Sequence, residues 1–196
     1  MWFGDAPRPG GWQSDVVPEV GSGSATDHRD LARLIGERCR LTGTFTLRSG
    51  RESSTYFDKY LFEGDPVLLA RVAGQAGPLI PAGTEVLAGL ELGGVPVATA
   101  LSLATGLPVA FVRKSAKSYG TARLAEGAQI SGQRVLVVED VITTGGQVAS
   151  SIGELRSRGA RVDAALCIID RSGGDHSRLD AVGCRVIALF TEAELR

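Results

Sequence analysis

The chain has 196 residues, of which 43% are hydrophobic and 22% are charged, and its formal net charge at pH 7 is −1. This composition is that of an ordinary globular protein, and the chain is long enough to bury a core without disulfides or metal. The near-zero net charge argues against nucleic acid or an anionic membrane as a partner, and no apolar run is long enough to span a bilayer.

The lysines, cysteines and histidines of the sequence narrow the possible classes of protein further. Of the 21 basic residues only three are lysines, at Lys59, Lys114 and Lys117. Three cysteines without a CxxC pair or a mixed Cys/His spacing suit a reducing compartment, so we expect a cytoplasmic protein. The two histidines, His28 and His176, lie far apart, which disfavours a zinc enzyme or a His-dependent triad.

Residues 1–26 differ in composition from the rest. They are rich in Pro, Gly and Ser and include Gly-Ser-Gly-Ser at 21–24. We expect a flexible extension, because such a segment cannot bury enough apolar surface to order itself. It lacks the basic start and apolar stretch of a signal peptide. The remaining residues, 27–196, are expected to form one domain.

The first predicted elements are short. A helix is expected from about Thr26, where Thr and Asp side chains can cap it and apolar residues recur at helical spacing. Two short strands follow at 44–47 and 55–58, joined by a turn at 48–51. A second helix is expected from Asp65-Pro66 to about residue 80, because proline is favoured at the first helical position.

From residue 85 onward, strands and helices alternate. Strands are expected at 85–88, 109–113, 134–139, 162–170 and 185–190, and helices at about 96–105 and 146–158. The strand Val135–Val138 is apolar on both faces, which is typical of a parallel sheet covered by helices on each side. The pattern predicts an open α/β sheet whose ligands bind at the carboxyl ends of the strands.

The segment 135–147 reads Val-Leu-Val-Val-Glu-Asp-Val-Ile-Thr-Thr-Gly-Gly-Gln. A buried strand ends in two acids, and a turn of small residues then leads into a helix, so backbone amides and two hydroxyls can surround a phosphate. It is neither a Walker A loop nor a GxGxxG fingerprint. Two carboxylates would repel that phosphate unless they bind hydroxyls, and the vicinal diol of a ribose suits them. The segment therefore indicates ribose 5-phosphate, with Glu139 and Asp140 on the diol.

This segment resembles the phosphoribosyl-pyrophosphate motif of type I phosphoribosyltransferases. The resemblance implies an α/β fold with an open, mainly parallel twisted sheet flanked by helices, and a small N-terminal hood mainly over 27–64. It implies the donor 5-phosphoribosyl 1-pyrophosphate, with Mg2+ held mainly by the donor and not by direct protein ligands. The donor contacts implied here are Glu139, Asp140, Val141, Ile142, Thr143, Thr144, Gly145, Gly146 and Gln147.

Three further segments, 45–51 with 56–58, 113–121 and 169–171, resemble orotate phosphoribosyltransferases, and the resemblance covers roughly residues 30–175. It implies transfer of the phosphoribosyl group to orotate in pyrimidine biosynthesis. It also implies a homodimer with shared active sites, because the family's mobile loop reaches the neighbouring subunit. The implied orotate contacts are Thr143, Arg171, Arg48, Tyr56 and Phe57. An arginine for a carboxylate and an aromatic face for a ring are chemically sensible.

The segment 113–121, called the basic loop below, is the candidate catalytic element. It clusters positive charge among small residues, so it can close over a pyrophosphate and stabilise the charge that grows on departure. The alternative is a solvated basic loop. The expected catalytic residues, which also contact the donor, are Arg113, Lys114, Lys117 and Tyr119. Tyr119 stands where the family often has His, and Arg48 stands where Lys is common; a Tyr with a pKa near 10 does not carry the charge that His can.

Two alternatives stay open at this point. The donor motif also suits a type I phosphoribosyltransferase that acts on a purine or another base. A non-catalytic regulator that senses the donor would share the motif as well, although it has less need of two loop lysines. The glycine-rich segment 89–96 matches the position of the family's pyrophosphate loop, where glycines let backbone amides approach a diphosphate.

Overall fold

The structure, a computed structural model, describes residues 25–46, 50–114 and 124–196. Of the predicted flexible segment 1–26, only the last two residues belong to this part, and they already form the start of the first helix. The rest of that prediction falls on residues outside the described ranges, as do the predictions for Arg48, Lys117 and Tyr119.

The N-terminal elements form a hairpin between helices. They are α1 (Ala25–Cys39), β1 (Arg40–Thr46), β2 (Glu52–Phe57), α2 (Tyr60–Glu63) and α3 (Pro66–Ala76). β1 and β2 pair antiparallel as a separate two-stranded sheet. β1 starts directly after α1, four residues before the strand expected at 44–47, and β2 ends one residue before the expected 58.

The helix α3 begins where the sequence predicts and ends earlier. The Asp65 side chain accepts hydrogen bonds from two amides of the first turn at 3.0 and 3.1 Å, and Pro66 takes the first helical position. The helix stops at Ala76, not near residue 80, because Pro78 has no N–H to continue the helical hydrogen bonds. A single 3-10 turn, Gly77–Leu79, follows.

A six-stranded sheet forms the centre of the molecule. Its strands lie in the order β5-β4-β3-β6-β7-β8, and all neighbours pair parallel except β5, which runs antiparallel to β4. The predicted open, mainly parallel sheet is therefore confirmed. The strands are β3 (Val86–Leu90), β4 (Val109–Val112), β5 (Ala125–Gly127), β6 (Val135–Ile142), β7 (Ala164–Asp170) and β8 (Arg185–Thr191).

The later helices cover the sheet and end the chain. They are α4 (Gly94–Thr105), α5 (Gly146–Ser157) and α6 (Ser177–Asp180), and a 3-10 turn, Glu192–Leu195, precedes the last residue. α4 starts two residues before the expected 96, since a proline is tolerated in the first turn. The sequence did not predict α2, α6 or β5, each of which has only three or four residues.

Two apolar clusters occupy the two faces of the sheet. Alternate residues of β6 supply both: Leu136 and Val138 pack toward α1 to α4, whereas Val135 and Val137 pack toward α5 and α6. This is why the strand reads as continuously apolar. Phe62 of α2 is fully buried in the first cluster, so the N-terminal elements share the core of the sheet.

The C-terminal turn packs on α1 at a glycine, which generates a test of this contact. A Cβ at Gly36 would lie 2.2 Å from the carbonyl oxygen of Leu195. We expect Gly36→Ala to lower the free energy of unfolding by about 1–3 kcal/mol, because backbone must move to admit the methyl group. Urea unfolding measures this.

Gly153→Ala is the matched control, since Gly153 also lies inside a helix but has nothing within 4 Å of a Cβ. That substitution is expected to raise stability by roughly 0.5–1 kcal/mol, because alanine favours the helix. Equal effects at the two positions would contradict the packing described.

Candidate active site

The end of β6 and the start of α5 form the predicted phosphate loop. Thr143 and Thr144 are exposed, and Gly145 has φ +68°, a left-handed conformation that favours glycine. α5 begins at Gly146, so the amides of its first turn have no partner within the helix and face the loop. Such a terminus attracts anions.

Arg178 adds a positive charge beside this loop. A Cβ at Gly146 would lie 2.7 Å from a guanidinium nitrogen of Arg178, so this side chain lies directly beside the loop. Arg178 is not predictable from the sequence, because α6 is too short to show a helical pattern and nothing in the sequence links it to the loop. A cavity of about 250 Å³ opens here, lined by Thr143, Thr144, Arg171, Ser172, Asp175, Ser177 and Arg178.

The two acids lie inside β6, which continues to Ile142, three residues beyond the expected end at 139, and their environments differ. The Asp140 side chain is fully buried; its Oδ1 accepts a hydrogen bond from the amide of Val141 at 2.7 Å, and its Oδ2 forms an ion pair with the ammonium of Lys59. Glu139 remains partly exposed. The sequence predicted the two as equivalent ligands of a diol, and the structure separates them.

The protonation of the two acids differs as well. Burial, together with contact with Asp140, raises the pKa of Glu139 to about 9, so Glu139 holds a proton near neutral pH. Burial alone would raise the pKa of Asp140, but hydrogen bonds from Glu139, Glu63 and Lys59 hold it below its usual range. One proton-bearing carboxyl and one carboxylate therefore lie side by side.

The glycine-rich segment after β3 packs on Asp140. A Cβ at Gly93 would lie 1.8 Å from Oδ2 of Asp140, and one at Gly94 would lie 2.3 Å from the carbonyl oxygen of Val138. The glycines thus allow the turn to approach β6 as closely as it does. Gly93 and Gly94 therefore have a packing role that the sequence does not indicate.

The base of the basic loop is held beside the same turn. The amide of Lys114 donates to the Glu91 carboxylate at 2.9 Å, and the amide of Arg113 donates to the carbonyl of Leu124 at 2.9 Å. The buried Nε of Arg113 has no hydrogen-bond partner within the described ranges. Lys117 and Tyr119 lie outside those ranges.

Three of the five residues expected to hold a flat ring, Tyr56, Phe57 and Arg171, line one cavity, whereas Thr143 lines the cavity beside the loop 143–147 and Arg48 lies outside the described ranges. Tyr56 is 45% exposed and Phe57 is half-buried. The guanidinium of Arg171 lies 5.9 Å from the centre of the Phe57 ring. The cavity measures about 530 Å³ and is lined by Arg40, Ser53, Thr55, Tyr56, Phe57, Ile169, Arg171, Glu192, Leu195 and Arg196.

Arg171 borders both cavities and is already paired. Its Nε and Nη2 lie 3.0 and 2.9 Å from Oε1 of Glu192. Its sequence neighbour Asp170 instead accepts from the amide of Ser172 and pairs with His176 at 2.9 Å, which fixes the loop after β7. The Glu192 contact could not be read from the sequence, since the two residues are brought together only by the pairing of β7 with β8.

The arrangement suits a phosphorylated sugar and a flat anion. An amide-rich loop, a partly exposed carboxyl group and the base of a basic loop lie along one edge of the sheet, and an arginine next to aromatic rings adjoins them. No group of three or more His, Cys, Asp and Glu side chains suited to a metal ion occurs in the part of the chain that the structure describes. Within that part, no helix is long and apolar enough to cross a membrane.

Comparison with known proteins shows the family to which the chain belongs. Residues 69–193 match the phosphoribosyl transferase domain family. An orotate phosphoribosyltransferase of a Nocardioides species is 56% identical over 84% of this chain and 92% of its own length. That of Methanocella arvoryzae is 44% identical over 78% of this chain and 87% of its own length.

A solved structure agrees as well. The Mycobacterium tuberculosis orotate phosphoribosyltransferase in complex with 5-phospho-α-D-ribosyl 1-diphosphate superposes with a TM-score of 0.73 at 31% identity, covering 86% of this chain and 98% of its own. Fold and site together define a type I phosphoribosyltransferase. Within that class, the chain belongs to the orotate phosphoribosyltransferase family. The family resemblance in the sequence is thereby confirmed.

Proposed function

We propose that this enzyme transfers the 5-phosphoribosyl group from 5-phosphoribosyl 1-pyrophosphate to orotate, giving orotidine 5′-monophosphate and pyrophosphate, a step of pyrimidine biosynthesis. The observation that carries the proposal is the position of Arg171, which borders both the cavity beside the phosphate loop and the cavity with Tyr56 and Phe57. A carboxylate bound there would bring its ring next to a sugar held at the loop.

The donor is expected to lie along the carboxyl edge of the sheet. Its 5-phosphate accepts hydrogen bonds from the loop 143–147, and Glu139 accepts hydrogen bonds from the ribose hydroxyls once it is ionised. Arg113, Lys114 and Lys117 of the basic loop stabilise the departing pyrophosphate, and Tyr119 can donate a hydrogen bond to it. These roles extend the family resemblance to particular residues of this chain.

Orotate is expected to attack with its ring nitrogen at the anomeric carbon, through an oxocarbenium-like state. Arg171 and Thr143 orient the ring, and Tyr56, Phe57 and Arg48 cover it. No general base is required, because ionised orotate is already nucleophilic. The C–O bond to pyrophosphate breaks as the C–N bond forms, so the charge that develops falls on the oxygens beside the basic loop.

Mg2+ is the cofactor we propose, and it suits a site in which the donor supplies most ligands. Asp140 is occupied by Lys59 and Glu139 carries a proton, so neither offers a free carboxylate in this state. Mg2+ is usually held by substrate phosphates with one or two carboxylates at most. When bound, it neutralises charge on the diphosphate.

We also propose a homodimer with shared active sites in the cytoplasm. Val67 of α3 and Leu103 of α4 are 65% and 84% exposed, on helices that pack together, and a second copy would cover such apolar side chains. Sedimentation equilibrium tests the proposed dimer.

All three cysteines are free and buried, which suits the reducing compartment that we propose, the cytoplasm.

The direct test is an activity assay. When purified protein is mixed with orotate, donor and Mg2+, the absorbance of orotate is expected to fall as orotate is converted. Lys117→Ala is expected to lower kcat roughly 100- to 1,000-fold while changing donor Kd much less. Arg158→Ala, which removes an exposed ion pair with Glu154, serves as the control. Turnover with a purine but not orotate would overturn the base assignment, and donor binding without product from any base would favour a sensor.

The protonated state of Glu139 predicts proton release on donor binding. Since the pKa of Glu139 lies at about 9 and a carboxylate is needed to accept hydrogen bonds from both ribose hydroxyls, binding at pH 7.5 should release a proton. Donor affinity then rises as the pH increases toward 9. Calorimetry in buffers of different ionisation enthalpy measures the release.

Glu139→Gln is the control for that measurement, because it cannot release the proton. Binding enthalpies of the wild type that are independent of the buffer would rule out this linkage.

The pairing of Arg171 with Glu192 predicts competition for orotate. The carboxylate of orotate needs the same guanidinium N–H groups that Glu192 occupies. Since this pair is partly exposed, Glu192→Gln should lower the orotate KM by only about two- to fivefold, as measured by initial rates. Glu154→Gln, which weakens an exposed pair elsewhere, is the control. A higher orotate KM would mean that Glu192 orients Arg171 instead.

A further inference from the structure

Lys59 is a lysine outside the basic loop that no part of the proposed reaction uses. It lies directly before α2, and its ammonium forms an ion pair with Oδ2 of Asp140. The Lys59 side chain is 31% exposed, whereas Asp140 is fully buried. A residue of the N-terminal elements thus reaches into the end of β6, next to the expected donor site.

The carboxylate of Asp140 has no room to turn. Its Oδ1 is held by the amide of Val141, and its Oδ2 lies so close to Gly93 that any side chain there would overlap it. The position of the carboxylate therefore determines how closely the turn at Gly93 and Gly94 can approach β6. That turn leads into α4 and adjoins the base of the basic loop through Glu91.

A second acid completes the group around Asp140. Glu63 lies one helical turn after Lys59, is only 7% exposed, and its carboxyl group contacts Asp140. Burial, together with the contact with Asp140, raises the pKa of Glu63 to about 9, so Glu63 is uncharged near neutral pH. The other titratable groups that act on this cluster are Asp58, Tyr60, Glu139 and Cys167.

We propose that Lys59 is a positioning residue of the donor site, which acts by holding the Asp140 carboxylate in place under the glycine turn. Without the ammonium, Asp140 would be a buried charge without a cation, and it would have to take up a proton or move. Either change releases the turn from β6 and displaces the edge on which the donor lies. The inference rests on the proposed function only in placing the donor at this edge.

The test compares Lys59→Met with Lys59→Arg. The first is expected to lower kcat/KM for the donor roughly 10- to 100-fold, since small displacements of a binding edge are costly, and to leave the orotate KM nearly unchanged. Lys59→Arg keeps the charge and should recover most of the loss. Arg33→Met, which removes exposed pairs with Asp30 and Glu37, is the control for loss of a cation elsewhere.

A double-mutant cycle separates this role from a direct contact with the donor. If Lys59 acts through Asp140, Lys59→Met should cost little donor affinity in an Asp140→Asn background, measured as donor Kd by calorimetry with Mg2+. Additive losses would show that Lys59 binds the donor itself and would overturn the inference. The comparison of Asp140→Asn with the double variant stays informative even if Lys59→Met alone does not fold. Asparagine carries no charge, so the double variant has no buried charge that lacks a partner.

The outcomes also distinguish the two proposals. A wild-type protein that binds no donor would refute the proposed function. Donor binding and turnover that survive Lys59→Met unchanged would refute only the role of Lys59.

Discussion

The sheet edge at which we propose that the donor binds is built around one carboxylate that has no contact with solvent. Asp140 lies inside β6, where its carboxylate accepts a hydrogen bond from the amide of Val141, pairs with Lys59 from the N-terminal elements and lies beside the uncharged carboxyl of Glu63. A buried carboxylate without such partners would be strongly destabilising, so the hood and the sheet must meet at this point. The small residue at Gly93 is a consequence, because the oxygen fills the space of its Cβ.

Most of the fold could be predicted from the sequence because the pattern that specifies it is local. In β6, successive apolar residues serve opposite layers, as Val137 and Val138 do, and only a strand covered on both faces has that pattern. The strand, the turn of small residues and α5 follow one another without interruption, so the path of the chain at the proposed phosphate loop was also predictable. The capped start of α3 is local in the same sense.

The parts that could not be predicted depend on contacts between distant segments. Single-turn helices such as α2 and α6 have too few residues to show a period, and β5 is recognisable only by its pairing with β4. Asp170 and Asp175 lie near Arg171 in the sequence, yet the ion-pair partner of Arg171 is Glu192, which follows β8. Composition singled out the scarce lysines, but nothing near Lys59 in the sequence names Asp140 as its partner. The roles of Arg48, Lys117 and Tyr119 stay predictions.

The acid pair shows why a motif does not by itself assign roles. Glu139 and Asp140 are chemically similar neighbours, and a ribose diol could in principle be held by both. The two acids differ in burial and in their partners. Asp140 is buried and kept ionised by Lys59, whereas Glu139 carries a proton and keeps contact with solvent. We therefore propose Glu139, and not Asp140, as the carboxyl that contacts the ribose hydroxyls. Asp140, whose pKa is lowered and whose charge is paired with Lys59, is better suited to fixing the shape of the edge. A site that binds a polyanion benefits when the second carboxylate already has its own cation.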